Sequence, residues 1–511
     1  MPSRRVWRLA CCVKISPEPD RHSRARQHST PIAYRTCEGI IEVLLYFTVV
    51  FNPWAFGTTQ SWSVGVMNIT GYSLGLLLLF KWLICWRTGY RPSRWRPLGS
   101  LDFTAAILTV VVLAYCLISA VNARMTFMTY PLLDYRECIR WLPHSYCAPW
   151  TWRAFGEYLG LALTFWAMRD WLLGKTHEER KSQPSPTEAW KALALPARLR
   201  RLLWILCANG LLLAIEGIVQ RLAGSNRLLW LIQPMVNQTA ESQFGPYAYR
   251  STAAQYFNLV WPVCAGFAWL WARAARQARR AGGLVRNRYG AWLVPAAILM
   301  AACPVISTSR GGALVAAGMI PLVLLGLLFA NHRGHLGRKI GIILLFVLPV
   351  QLGLFLGWDQ LKPRLERMFS DQLGGRTGIY KVGELIARDF PVFGTGPGSF
   401  SQIYSLYRTD DAPKTIAQAH NDWLETRVDM GWLGLGLVLL LLAVVALNWF
   451  YGEGIPAPAP WVAMIWIALA GCLVHARFDM PFRAHSVLSL FLTLCCILLC
   501  VHKKGASSKA P

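Results

Sequence analysis

Residues 291–330 read AWLVPAAILMAACPVI, then STSR, then GGALVAAGMIPLVLLGLLFA. Two apolar runs, Ala291–Ile306 and Gly311–Ala330, are thus separated by a very short polar turn with Arg310 at its end. An apolar bilayer core of about 30 Å takes roughly 20 such residues to cross as a helix. The stretch therefore reads as a transmembrane helical hairpin, and Gly311 and Gly312 suit a chain that must fold back tightly.

The same pattern extends along the chain. Of 511 residues, 54% are hydrophobic and 15% charged, against about 25% charged in a soluble domain. That excludes a soluble enzyme, a disulfide-stapled secreted domain and a disordered chain. Further spans are expected at Ile40–Phe56, Ser63–Trp86, Leu101–Val121, Ala154–Leu173, Leu202–Leu222, Thr252–Trp271 and Ile340–Gly357. Three more follow at Gly431–Tyr451, Trp461–Phe478 and Ala484–Val501. The expected fold is an all-α polytopic membrane protein of about twelve transmembrane helices.

The excess of 52 Lys+Arg over 26 Asp+Glu needs no nucleic acid, because basic short loops are retained on the cytoplasmic side. Arg87, Arg91, Arg94 and Arg96 form one such loop, and Arg273, Arg276, Arg279, Arg280, Arg286 and Arg288 another. Both termini are then cytoplasmic. The organisation expected is a basic arm at 1–37, nine spans within 38–357, a periplasmic loop subdomain at 358–430, three spans within 431–502 and a tail at 503–511. The arm, with Arg4, Arg5, Arg8 and Lys14, lacks the directly following apolar segment of a signal peptide. It reads as a solvated segment near anionic membrane lipids.

Most of the 14 cysteines fall in spans, where the thiol acts as a small apolar group. Cys138 and Cys147 share a periplasmic loop, where a disulfide is permitted. No Cys or His spacing suggests zinc.

Polar groups at membrane depth are costly and tend to mark functional cavities. Four places stand out. Arg310 in the hairpin can offer a planar fork to phosphate or simply snorkel to the interface. Arg250 stands at the mouth of the Thr252–Trp271 span. In the long loop, Arg376-Thr377-Gly378-Ile379-Tyr380 opens a helix running to about Asp389 that also carries Lys381. The glycine-rich turn Phe390–Phe400 breaks it, and His420-Asn421-Asp422 enters the next helix. His420 can exchange a proton near neutral pH. Fourth, His475 and Asp479, four residues apart, share one helix face. There Asp479 can orient a base, hold an arginine, or pair locally with Arg477 or Arg483.

Together these pieces resemble the O-antigen ligase and polymerase superfamily of envelope glycosyltransferases. The matching elements are SRGG at 309–312, RDFPVFGTGPGSF at 388–400, HNDWLETRVDMGWLGL at 420–435 and HARFDMP at 475–481. The resemblance covers roughly residues 245–485. It implies a GT-C-like fold with a large periplasmic loop in the bacterial inner membrane, and a site facing the periplasm. It also implies metal-independent, inverting transfer of a glycan from undecaprenyl diphosphate to an acceptor hydroxyl, without cofactor. The acceptor would be lipid A core, a growing polysaccharide or a protein, as in the protein O-oligosaccharyltransferases. Carried over by position, Arg310, Arg250 and His420 are the catalytic candidates, with Arg376, Lys381, Asn421 and Asp479 as substrate-binding ones. His420 takes the acceptor proton or positions the acceptor. A competing reading is a bicarbonate-type transporter, against which stands the absence of paired Gly/Pro-interrupted spans in matching halves.

Overall fold

The computed structural model describes residues 30–92, 99–127, 133–135, 137–174, 195–280, 290–332, 334–370, 376–408, 416–452 and 454–503. The arm before Thr30, Arg94, Arg96, Arg286, Arg288 and the tail beyond Lys503 lie outside the described residues.

The chain is a bundle of helices with two minor pairs of three-residue strands. In order, the helices are α1 (Ile32–Trp54), α2 (Ser61–Thr88), α3 (Ser100–Val121), α4 (Ala148–Leu173), α5 (Ala197–Leu222), α6 (Arg250–Arg280) and α7 (Leu293–Ile306). Then come α8 (Arg310–Ala330), α9 (Leu336–Ser370), α10 (Arg376–Asp389), α11 (Phe400–Tyr407), α12 (Asp422–Tyr451), α13 (Ala459–His475) and α14 (His485–Cys500). All twelve segments expected to cross the membrane are helical. Among the described residues seven helices, α1, α2, α3, α5, α8, α9 and α12, are long and apolar enough to do so. Helices α7, α13 and α14 are apolar but shorter. Arg153, Glu157, Arg169 and Asp170 interrupt α4.

Helix α6 is the axis of the bundle. It packs on α7, α8 and α13, and every residue from Ser251 to Leu270 is buried, as expected of a helix surrounded by protein on all sides. The outer helices instead expose apolar rows: on α5, Leu212, Ile215, Val219 and Leu222 are 44–66% exposed, at helical spacing on one outward face.

Two features fix the end of the bundle that carries the candidate residues. The first is the hairpin between α7 and α8. Its left-handed residue is Thr308, at φ 59°, and not a glycine as the sequence suggested. Gly311 and Gly312 lie inside α8, where they permit close packing. A Cβ on Gly312 would meet Ala254 Cβ of α6 at 2.3 Å, and one on Gly311 would meet His475 at 2.9 Å. Ser309 caps α8, its Oγ accepting from Gly312 N at 3.1 Å.

The second is a break in α12 at Gly431 (φ 61°, ψ −167°). There the 391–396 turn takes over the orphaned backbone groups. Thr395 N donates to Val428 O and Gly396 N to Asp429 O, both at 2.8 Å, while Trp432 N donates to Pro391 O at 2.8 Å. Buried backbone groups must find partners, so the Gly-rich turn is the counterpart of the break.

Cys138 and Cys147 are both free thiols, so the disulfide permitted by their shared loop is not formed. Cys147 is buried at the start of α4, its backbone N–H donating to Ser145 Oγ at 2.9 Å.

Candidate functional site

Asp479 is the centre around which the candidate residues gather. It follows α13 and is 6% exposed. Its Oδ2 accepts from Ser251 Oγ at 2.5 Å, and Tyr249 Oη donates to the carboxylate at 3.1 Å. His420 Nδ1 lies 3.3 Å from Oδ1, and Arg376 Nη2 lies 3.8 Å from Oδ2. Burial pushes the Asp479 carboxyl up, but the His420 hydrogen bond, the Arg376 charge, His475 and Ser251 prevail and hold it well below the usual carboxylate range. Burial likewise works against the Arg376 cation, and Asp479 outweighs it, so the guanidinium stays charged.

The local chain explains the arrangement. His420 has φ 50°, a sparsely populated conformation for a residue with a Cβ. The backbone around it is tied down: Tyr380 Oη donates to His420 O at 3.0 Å, and Asp422 N donates to Ala476 O at 2.9 Å. Arg376, at the start of α10, also donates through Nη1 to Phe478 O. With Nδ1–H donated to Asp479, the neutral imidazole carries its lone pair on Nε2. Behind Asp479, His475 is buried, its Nδ1 2.6 Å from Gln255 Oε1 and its Nε2 3.2 Å from Ser251 Oγ. Ser309 Oγ donates to Ser251 Oγ at 3.2 Å. One hydrogen-bonded chain thus links the α8 hairpin, α6, α13 and the loop histidine.

Beside it is a cluster of four arginines. Arg250 donates through Nη1 to Glu241 O at 2.8 Å, and Arg310 Nη1 reaches Arg364 O at 3.5 Å. Arg221, in the last turn of α5, donates through Nη2 to Gln243 O at 2.8 Å and to Ser307 O at 3.3 Å. Its Nε and Nη1 are buried with no hydrogen-bond partner among the described residues. Burial first, then the neighbouring charge of Arg364, pushes the Arg250 guanidinium down to about 10, with Arg221 and Arg310 acting in the same direction. It remains a cation at neutral pH. Like charges held this close, with spare donors, are chemically suited to an anion of several oxygens.

The sequence-derived residues therefore divide. His420, Asp479 and Arg376 meet in one group, and Arg250 and Arg310 in the adjoining cluster. Asn421 is a helix cap: it is buried, and its Oδ1 accepts from Leu424 N at 3.2 Å. Lys381 stands exposed on α10. Asp479 does not pair with Arg477 or Arg483; Arg483 bridges Glu425 at 2.6 Å and Asp429 at 3.1 Å. Arg221, Arg364 and Gln255 were not singled out from sequence, and Tyr249 and Ser251 only as neighbours of Arg250. A polar start to an otherwise apolar span was the available signal for Tyr249, Ser251 and Gln255.

A cavity of about 340 Å³ lies between α3, α4, α12 and α14, lined by Leu161, Phe165, Trp423, Leu442 and Phe491 together with Asp422 and Arg483. Asp422 connects it to the site, because its backbone N–H also donates to Asp479 O at 3.3 Å. Among the described residues no three His, Cys, Asp or Glu side chains gather in a group that could hold a metal ion.

A family model described as O-antigen ligase matches residues 295–439. The matched segment, similar to that family, contains Arg310, Arg364, Arg376 and His420. Arg221, Arg250 and Asp479 lie outside it. No curated protein matches the chain.

Proposed function

We propose that this chain, which carries an O-antigen ligase superfamily segment, is an inverting, metal-independent glycosyltransferase of the bacterial inner membrane, moving a glycan from undecaprenyl diphosphate to an acceptor hydroxyl. The observation that carries the reading is the arginine cluster beside the His420–Asp479 pair. A sugar–diphosphate bond breaks with negative charge developing on the departing phosphate, and preorganised donors in a water-poor site stabilise that charge. Arg310 and Arg250, with Arg221 and Arg364, would hold the diphosphate.

His420 Nε2 would accept the acceptor hydroxyl proton while the oxygen attacks the anomeric carbon opposite the leaving phosphate, which inverts that centre. Asp479 would hold the tautomer and stabilise the imidazolium as it forms. In the second role open to His420, it hydrogen-bonds the hydroxyl without removing its proton. The apolar cavity suits a hydrocarbon chain of a lipid-linked substrate. We place twelve crossings, both termini inside and the site facing the periplasm, and we favour lipid A core or a growing polysaccharide over protein as acceptor.

The test uses purified protein, carrier-linked glycan and each acceptor class, with and without EDTA. Arg310→Ala and His420→Ala should stay folded and lose transfer, while wild-type activity persists in EDTA. Full activity in Arg310→Ala would end the arginine mechanism, and loss in EDTA restored by a divalent cation would end metal independence. Impermeant thiol labelling in intact cells tests sidedness, with His420→Cys expected to label and Arg279→Cys not.

A further inference from the structure

The connection between α5 and α6 carries an apolar stretch that the proposed reaction does not use. Its stretch Leu228–Ala240, LLWLIQPMVNQTA, holds no charged residue, although it runs at the surface. Trp230, Leu231, Ile232, Met235 and Val236 are 44%, 71%, 50%, 93% and 72% exposed. A soluble surface rarely tolerates so many large apolar groups in one short loop.

The loop is not loosely hung. Leu228 is buried, and Leu228 N donates to Ile232 O at 2.8 Å, closing a tight turn in which Leu229 and Trp230 have φ of 51° and 57°. Gln243, fully buried, donates through Nε2 to Asn237 O at 2.8 Å and to Asn226 O at 3.1 Å. Gln220 Nε2 donates to Arg227 O at 3.1 Å. The apolar groups are therefore held outward by a fixed frame.

What covers them follows from continuity. The outward row Leu212, Ile215, Val219 and Leu222 of α5 ends one short turn, Ala223–Arg227, before this loop begins, and α5 is long and apolar enough to cross a membrane. Trp with aliphatic neighbours at the end of a span is the composition that settles at a lipid interface. The frame is shared with the arginines: the Gln243 carbonyl receives Arg221, and the Glu241 carbonyl receives Arg250.

We propose that Trp230–Val236 is a membrane-inserted wedge, buried in the lipid leaflet at the arginine end of the bundle, which sets the arginine cluster at the depth of the lipid phosphates. The occupant is the bilayer itself. This goes beyond the transferase reading and does not depend on it.

The experiment places a nitroxide at Met235→Cys, and separately at Gln238→Cys on the polar arm of the loop. The background is the full chain with Cys11, Cys12, Cys37, Cys85 and Cys138 replaced by serine, in phosphatidylethanolamine/phosphatidylglycerol nanodiscs. Collision with oxygen relative to a water-soluble nickel chelate should be severalfold higher at position 235 than at 238. Equal, water-like accessibility at the two positions would overturn the wedge. So would dipolar broadening between labels at 235 in discs carrying two copies, which would assign the surface to a second chain. The readout needs no transfer activity, so an inactive protein with a lipid-buried label at 235 supports the wedge and counts only against the transferase reading.

Discussion

His420 Nδ1 lies 3.3 Å from Asp479 Oδ1, with Arg376, Tyr249 and Ser251 completing the shell around the same carboxylate. The carboxylate thus fixes which nitrogen of the imidazole carries the proton, provided it stays ionised. Its pKa, held well below the usual carboxylate range, favours the ionised form at neutral pH.

The Asp479→Asn variant separates shape from charge. Its side chain nearly matches the original but offers Arg376 no anion and His420 no fixed tautomer, so transfer should fall by about a hundredfold or more. A group whose pKa is lowered on folding contributes its full stability above the unfolded value of about 3.9 and loses it as pH falls below that. The gap in Tm between wild type and Asp479→Asn should therefore be constant from about pH 5 to pH 8 and narrow below about pH 4. Melting curves in detergent across that range check it. A gap that stays unchanged down to about pH 3 would mean that the ionised Asp479 carboxylate is not what the substitution removes.

Much of the fold was legible because a membrane leaves the chain few options: apolar runs must be helical to satisfy their own backbone. The candidate residues stood out as interruptions of those runs, which is why Arg250, Arg310 and Asp479 could be named. Pairing was not. Asp479 has Arg477 and Arg483 close in sequence, yet its partner is Arg376 on the loop helix, and Arg483 turns to Glu425 and Asp429. Arg221 reads as an ordinary arginine at a helix end and Arg364 as one of several loop cations. Only the meeting of α5, α6, α8 and α9 makes them neighbours.

Gly431 should be intolerant of even the smallest side chain. Its φ is positive, and an added Cβ would sit 2.2 Å from Val392 O and 2.7 Å from Gly394 N. Gly431→Ala would prise the 391–396 turn off the broken helix, at a cost of about 2–4 kcal/mol. The expected result is faster proteolytic cutting within 358–430 and a lower Tm. Gly436→Ala is the control, since a Cβ there meets nothing within 4 Å. Equal behaviour of the two variants would contradict the docking of turn and break.

Away from the site, Lys81 on α2 bridges Glu38 of α1 and Asp170 of α4, while Arg198 of α5 also holds Glu38. Lys81 is 1% exposed. Removing one partner of a buried ionic group leaves the others uncompensated, typically at about 3–5 kcal/mol. Lys81→Met should therefore lower the Tm sharply and reduce the yield of inserted protein, though the network lies outside the arginine site. A Tm within a degree or so of wild type would show that the network is solvated, and so worth little.

The arginine cluster makes the opposite forecast for stability. Arg250 is pushed down by its own burial and by Arg364, Arg221 and Arg310, so without donor it is held against repulsion. A basic group whose pKa falls on folding works against the folded state while it is charged, and removing the charge relieves that strain. Arg250→Gln should therefore raise the Tm of the empty protein by about 1–3 °C while abolishing transfer. Wild type should in turn be stabilised by carrier diphosphate, since a ligand at about a hundred times its Kd adds about 2.7 kcal/mol. Arg250→Gln should show little of that shift, and Arg221→Gln a partial loss, because Arg221 holds two buried donor nitrogens in reserve. Scanning calorimetry of both variants with and without the donor decides the matter. If Arg250→Gln melts lower than wild type when empty yet gains as much from donor, the cluster is a structural feature, and the diphosphate binds elsewhere.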